Sequence, residues 1–202
     1  MSYPIDFVDQ QLPIAVLVSG VGTNLQALLD TVHGHEARIV AVASNVPEAP
    51  ALGRAMEQDV PTSVFRREEY SDRQERDEVM AEWLIDRGAR LVVLAGFMEL
   101  LSERFLDRFP ADSIVNVHPS MLPAYPGARP IEDALAAGAE EFGVTVHYVD
   151  AGIDTGRIIR QKSLQLPGAD NPAEVLKALR PLEHTLLPEV VREIAARQPI
   201  AA

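Results

Sequence analysis

The sequence predicts an α/β fold: a Rossmann-like, mostly parallel sheet flanked by helices, in a single domain. Short aliphatic runs alternate with longer helical patterns, which is the rhythm of βαβ units. The 202 residues are 47% hydrophobic but only 5% aromatic, so the apolar share is aliphatic, as suits strands buried on both faces by helices. That length is enough to bury one sizeable core.

The first strand is expected over IAVLV at 14–18, with residues 1–13 as an N-terminal extension. A helix follows over NLQALLDTV, then a strand over IVAVA at 39–43 and a helix over APALGRAMEQD. TSVF at 62–65 is the third strand, and Glu68 to Arg87 reads as one long helical stretch. LVVLA at 91–95 leads through a short helix in SERFLDRF to the strand SIVNVH at 113–118. After Gly127 the rhythm changes: a helix near PIEDALAAG, a strand GVTVHYV at 143–149, the run GRIIRQKSLQL, and a closing helix from Pro172 to about Arg197.

Charge and composition narrow the function. The formal net charge is −12, from 18 basic and 30 acidic side chains, so the field repels nucleic acid backbones and anionic lipid. With no cysteine, disulfides, thiolate catalysis and cysteine-ligated metals are excluded. The start MSYPIDFVDQQLP has no signal-peptide core, and no run is long and apolar enough to span a bilayer. The expectation is a cytoplasmic protein without nucleic acid or membrane partners.

Ligands of open parallel sheets collect beyond the carboxyl ends of the strands. Four such ends are polar: SGVGTN, AGFMEL, NVHPS and DAGIDTG. Asn116 and His118 stand two apart, so they leave a strand on the same face, and Pro119 ends the ladder directly after them. Alone, N-x-H-P also fits a turn whose side chains bond main chain. In SGVGTN, glycines between strand and helix let a ligand approach main-chain N–H groups, which suits a single phosphate. A turn capped by Thr23 or Asn24 is the alternative. The dinucleotide fingerprint is broken, with Leu25 where glycine belongs and no acid ending the second strand, and no Walker lysine is present. NAD and ATP are therefore not expected as ligands.

Asp150 and Asp154 lie in a glycine-interrupted loop that, folded toward His118, places a carboxylate beside the imidazole. Both also fit simple turn formers. His147 reads as a structural histidine, His33 and His35 as a solvated turn rather than metal ligands, and RREEYSDRQERDE as a solvated helix face.

The ordered set SGVGTNLQALLD, LAGFMELL, NVHPSMLPAYPG, GVTVHYVDAGIDTGRIIRQ and LEH resembles the phosphoribosylglycinamide formyltransferases, within the wider 10-formyltetrahydrofolate formyltransferase family. The resemblance runs from about Ile14 to Ile194 and implies the formyltransferase variant of the fold. It implies formyl transfer from 10-formyltetrahydrofolate, a co-substrate, to the amine of 5′-phosphoribosylglycinamide in purine biosynthesis, without a metal, by a monomer or homodimer. Carried over by position, Asn116, His118 and Asp154 are the catalytic trio. Gly22, Thr23 and Asn24 cradle the phosphate, while Arg180, Pro181, Leu182 and Glu183 close on the glycinamide end. The folate runs past Arg73, Met98, Glu99, Leu100, Leu101, Asn116 and the loop Asp150, Ala151, Gly152, Ile153 and Asp154.

Two positions depart from the family pattern. Glu99 stands where the family often has Arg, which leaves a main-chain contact to the folate there, and ARPIED replaces a histidine-bearing segment after YPG. Methionyl-tRNA formyltransferase is expected to carry a basic carboxy-terminal domain, and formyltetrahydrofolate hydrolase a regulatory domain ahead of the catalytic one. A non-catalytic phosphate or nucleotide-binding domain of the same fold would leave Asn116, His118 and Asp154 unexplained.

Overall fold

The computed structural model describes residues 11–197. Seven strands form one sheet: β1 (Leu12–Val18), β2 (Ala37–Ser44), β3 (Thr62–Val64), β4 (Leu91–Leu94), β5 (Ile114–His118), β6 (Glu141–Tyr148) and β7 (Ile158–Gln165). Their spatial order is β3-β2-β1-β4-β5-β6-β7. The first five strands run parallel, and β6 and β7 add antiparallel. Six helices accompany them: α1 (Thr23–Thr31), α2 (Pro50–Met56), α3 (Arg73–Asp86), α4 (Glu103–Leu106), α5 (Pro130–Ala136) and α6 (Pro172–Arg197).

Strand periodicity sorts the core into two layers. Ile14, Val16 and Val18 face the layer of α1, α2, α5 and α6 with Leu25, Leu28, Leu179 and Leu187. Ala15 and Leu17, one step over, face α3 and α4 with Met80, Leu84 and Phe105. Because both faces are covered, the central strands need an unbroken apolar run, which is why they stand out in the sequence.

Two boundaries and the burial of one helix face differ from the sequence expectation. Leu12 and Pro13 already pair with Ala37 and Arg38, so they belong to β1 and not to an extension; residues 1–10 lie outside the described residues. The stretch Glu68 to Arg87 is broken at Tyr70–Asp72. Asp72 caps α3 by accepting from Glu75 N at 2.8 Å, and the Glu75 carboxylate accepts from Ser71 N at 2.7 Å, a reciprocal cap that fixes where α3 starts. The face of α3 is also not fully solvated, because Arg76 and Asp77 are completely buried. A charged pair that neutralises itself can sit inside, and its letters in the sequence look no different from a surface pair.

The chain leaves β1 toward β2 on one side and returns to β4 on the other, so the strand order reverses between β1 and β4. Such a switch point opens a crevice at the carboxyl ends of the strands.

Candidate active site

A cavity of about 540 Å³ opens at those strand ends, lined by the segments after β4, β5 and β6. Asn116 and His118 reach it from β5, two residues apart as the pleat requires. Asp154 comes from the loop after β6 with φ of +53°, a left-handed conformation that Asp tolerates better than most residues. Its Oδ2 accepts from Gly127 N at 2.8 Å and lies 3.5 Å from His118 Nδ1. Its Oδ1 lies 3.4 Å from Asn116 Nδ2. One carboxylate thus ties together two side chains 36 and 38 residues away.

The hydrogen positions follow from the partners. Tyr125 O can only accept, so His118 Nε2, 3.0 Å away, carries a hydrogen and donates it. His147 Nδ1 likewise donates to Tyr148 O at 2.8 Å, which leaves its Nε2 to accept from Asn116 Nδ2 at 3.2 Å. His147 is also 3.5 Å from Asp154 Oδ1, so it belongs to the cluster and is not merely a structural residue beside it. Cross-strand register brings it there: β5 and β6 pair Asn116 with His147 directly. The sequence could not supply that register, and this is why His147 was missed.

Burial alone pushes the Asp154 carboxyl up. The His147 ring in its protonated form, the Gly127 N–H and the charge of a protonated His118 outweigh it, and the carboxyl sits below its ordinary value. Asp154 is therefore ionised at neutral pH.

All eleven positions assigned to the folate line this cavity: Arg73, Met98 to Leu101, Asn116 and Asp150 to Asp154. Met98 and Leu100 are 78% and 51% exposed, so apolar surface is offered to a ligand. The seven positions assigned to the ribonucleotide are elsewhere, at the start of α1 and on α6. Asn24 Nδ2 donates to Glu183 Oε2 at 3.1 Å and joins the two. Arg180 and Pro181 are exposed and Leu182 is half-buried. Burial raises the Glu183 carboxyl above its ordinary value, although the Asn24 amide and Arg180 pull it down. Asn24 Oδ1 is buried with no hydrogen-bond partner among the described residues.

The α1 start is uncapped: neither Thr23 nor Asn24 bonds a first-turn N–H, and Gly22 itself is the N-cap at φ of +76°. Those first-turn N–H groups remain available, as an anion site needs. A Cβ on Gly22 would lie 2.5 Å from Ala51 Cβ and 2.9 Å from its Cα, so glycine is required by α2 as well as by the turn. Arg54, from α2, donates Nε to Val21 O and a terminal nitrogen to Gln26 Oε1, both at 2.9 Å. It brings positive charge to this loop, and no motif in the sequence pointed to it. His33 Nδ1 accepts from Ile39 N at 3.0 Å. Among the described residues no group of three or more His, Cys, Asp or Glu is placed to hold a metal, and no helix is long and apolar enough to cross a membrane.

The model of the family described as formyl transferase matches residues 12–191. The chain is 39% identical over 181 residues to a phosphoribosylglycinamide formyltransferase of Haemophilus influenzae, covering 89% of this chain and 85% of that one. It is 37% identical over 182 residues to the trifunctional purine biosynthetic protein adenosine-3 of Drosophila melanogaster, covering 88% of this chain but only 13% of that larger protein. Among solved structures, the glycinamide ribonucleotide transformylase 1 of Symbiobacterium toebii superposes with a TM-score of 0.87 at 36% identity, over 93% of this chain and 89% of that one. With its strand order, cavity and the motifs at its strand ends, the chain belongs to the formyl transferase family.

Proposed function

We propose that this formyltransferase moves the formyl group of 10-formyltetrahydrofolate onto the amine of 5′-phosphoribosylglycinamide, a step of purine biosynthesis. The observation that carries the reading is the convergence of Asn116, His118 and ionised Asp154 on one end of the cavity. The folate occupies the cavity against Met98 and Leu100. The ribonucleotide's phosphate takes the free N–H groups at the start of α1, with Arg54 nearby, and its glycinamide end faces Asn24 and Glu183.

The substrate amine attacks the formyl carbon, forming the new C–N bond and an oxyanion. Collapse breaks the bond from that carbon to N10 of the folate, and the surplus amine proton ends on the departing N10. Charge on the formyl oxygen exists only along this path, so donors aimed at it lower the barrier rather than merely tightening binding. The Asn116 amide, turning one N–H from its long contact with Asp154 Oδ1, and His118, sharing its Nδ1 proton between Asp154 and the formyl oxygen, are those donors. Asp154 supports the proton on His118 and takes part in its transfer. Holding the two substrates side by side makes attack effectively intramolecular, so no covalent enzyme intermediate is required.

The direct test mixes the protein with 10-formyltetrahydrofolate and phosphoribosylglycinamide and follows folate absorbance. Formyl transfer that depends on both substrates is expected. Release of formate at the same rate without the ribonucleotide would mean a hydrolase and overturn the reading.

A further inference from the structure

Glu99 follows Met98 in the cavity-lining segment, yet both of its oxygens are taken by protein donors. One accepts from the Arg76 guanidinium and the other from Asn45 Nδ2 at 2.7 Å. Both partners are themselves anchored. Arg76 is completely buried and also bonds Asp77 Oδ1 at 2.6 and 2.9 Å. Asn45 Oδ1 accepts from Ser19 Oγ at 2.6 Å, and Ser19 Oγ accepts in turn from Met98 N at 2.9 Å. At the far end of the segment, Ser102 N donates to Asp77 Oδ2 at 2.7 Å. Residues 98 to 102 are therefore held at three points by polar groups from the residues just past β1 and β2 and from α3.

We propose that Glu99 is a positioning residue: pinned between buried Arg76 and Asn45, it sets the main chain at 98–101 so that Met98 and Leu100 face the folate. This rests on the placement of the folate in the cavity argued above. The physical reason is donor and acceptor matching. Arg76 and Asn45 both present N–H donors to position 99, so only a side chain that accepts at both ends satisfies them. A carboxylate does this. A Gln does not, because its amide nitrogen must face one of the two donors. Leaving the buried guanidinium short of an acceptor is costly, so the segment is expected to shift to cover it. Any such shift moves the apolar side chains on either side of residue 99.

The test is steady-state kinetics on Glu99→Ala, Glu99→Gln, Arg76→Met and the double variant Arg76→Met/Glu99→Ala, with calorimetric binding of tetrahydrofolate and thermal unfolding measured alongside. Glu99→Ala should raise the KM for 10-formyltetrahydrofolate and the Kd for tetrahydrofolate by about tenfold or more, the scale of a small misplacement of binding groups. The KM for the ribonucleotide should stay within about twofold, since that substrate's contacts are untouched. Glu99→Gln, which preserves size and should fold where Ala does not, should fall between the parent and Ala. In the Arg76→Met background the Glu99→Ala step should shrink to less than about threefold, the non-additivity expected of residues in one network.

A merely structural Glu99 lowers the unfolding temperature and leaves both KM values of the folded protein unchanged, which would overturn the proposal. So would an equal rise in both KM values, or the same step in both backgrounds. A parent that binds tetrahydrofolate as tightly as both Glu99 variants overturns this proposal alone. A parent that neither binds folate nor transfers formyl overturns the functional reading beneath it as well.

Discussion

Replacing Asp154 by Asn deletes one charge and almost no volume, and the left-handed backbone there accepts Asn as readily as Asp. The carboxylate lies 3.5 Å from His118 Nδ1. Opposite unit charges at that separation attract by about 5 kcal/mol at an effective permittivity of about 20. Asp154 is 14% exposed and also spends part of its charge on Gly127 N and Asn116, so roughly half of that attraction is specific to the imidazole. A loss of about 2–3 kcal/mol from the transition state lowers turnover by about 10²-fold. Saturating initial rates of formyl transfer for parent and Asp154→Asn read this directly, and the KM for folate should change far less than turnover.

The same charge sets a stability difference with a definite sign. The Asp154 carboxyl is depressed in the folded protein, so its ionised form contributes stability that is fully present above the unfolded value of about 4. That contribution is lost as pH falls through the lower folded value. Asp154→Asn should therefore unfold at a lower temperature than the parent at pH 7, with the gap closing in acid. A turn-forming Asp predicts equal turnover and equal unfolding at both pH values, because Asn is as good a turn residue. That result would refute the role assigned here.

His118→Ala should lower turnover by about 10²-fold, the scale of losing one donor to the oxyanion. Near-normal turnover would return His118 to a turn residue whose imidazole serves only Tyr125 O. Gly22→Ala places a methyl 2.5 Å from Ala51 Cβ at φ of +76° and should cost about 2 kcal/mol or more in urea unfolding. The larger Gly22→Val would thus damage α2 packing before it tested the phosphate, and unchanged stability of Gly22→Ala would contradict the α1–α2 contact. Glu183 is raised by burial, so its ionised form costs stability above the folded value and that cost vanishes as pH falls below the unfolded one. Glu183→Gln should raise the unfolding temperature at pH 7.5, where it removes the buried charge, but not near pH 4, where the protonated carboxyl can donate to the unpartnered Asn24 Oδ1 as the amide does. A lower unfolding temperature at pH 7.5 would show that the carboxylate is stabilising there.

The sequence by itself determined the central strands, because a strand buried on both faces is apolar along its length, as IAVLV, IVAVA and LVVLA are, and each run is short and rich in β-branched residues. It also determined that Asn116 and His118 share a face, since a period of two is a local property of the backbone. Only the tertiary structure decided what lies opposite them. His147 joins the cluster through the β5–β6 register, and register depends on how two distant segments align, which neither segment encodes alone. Arg76 and Asp77 were hidden for a related reason: in a helix rich in charge, which pair turns inward depends on the partner waiting there, in this case Glu99 from another strand end. Gly22 shows the same division, its left-handed turn readable beside the first strand but its collision partner Ala51 brought by a helix 29 residues away. Local rules fix the period, the turns and the caps; contacts across the fold fix which polar side chains meet, because electrostatics and packing act through space and not along the chain.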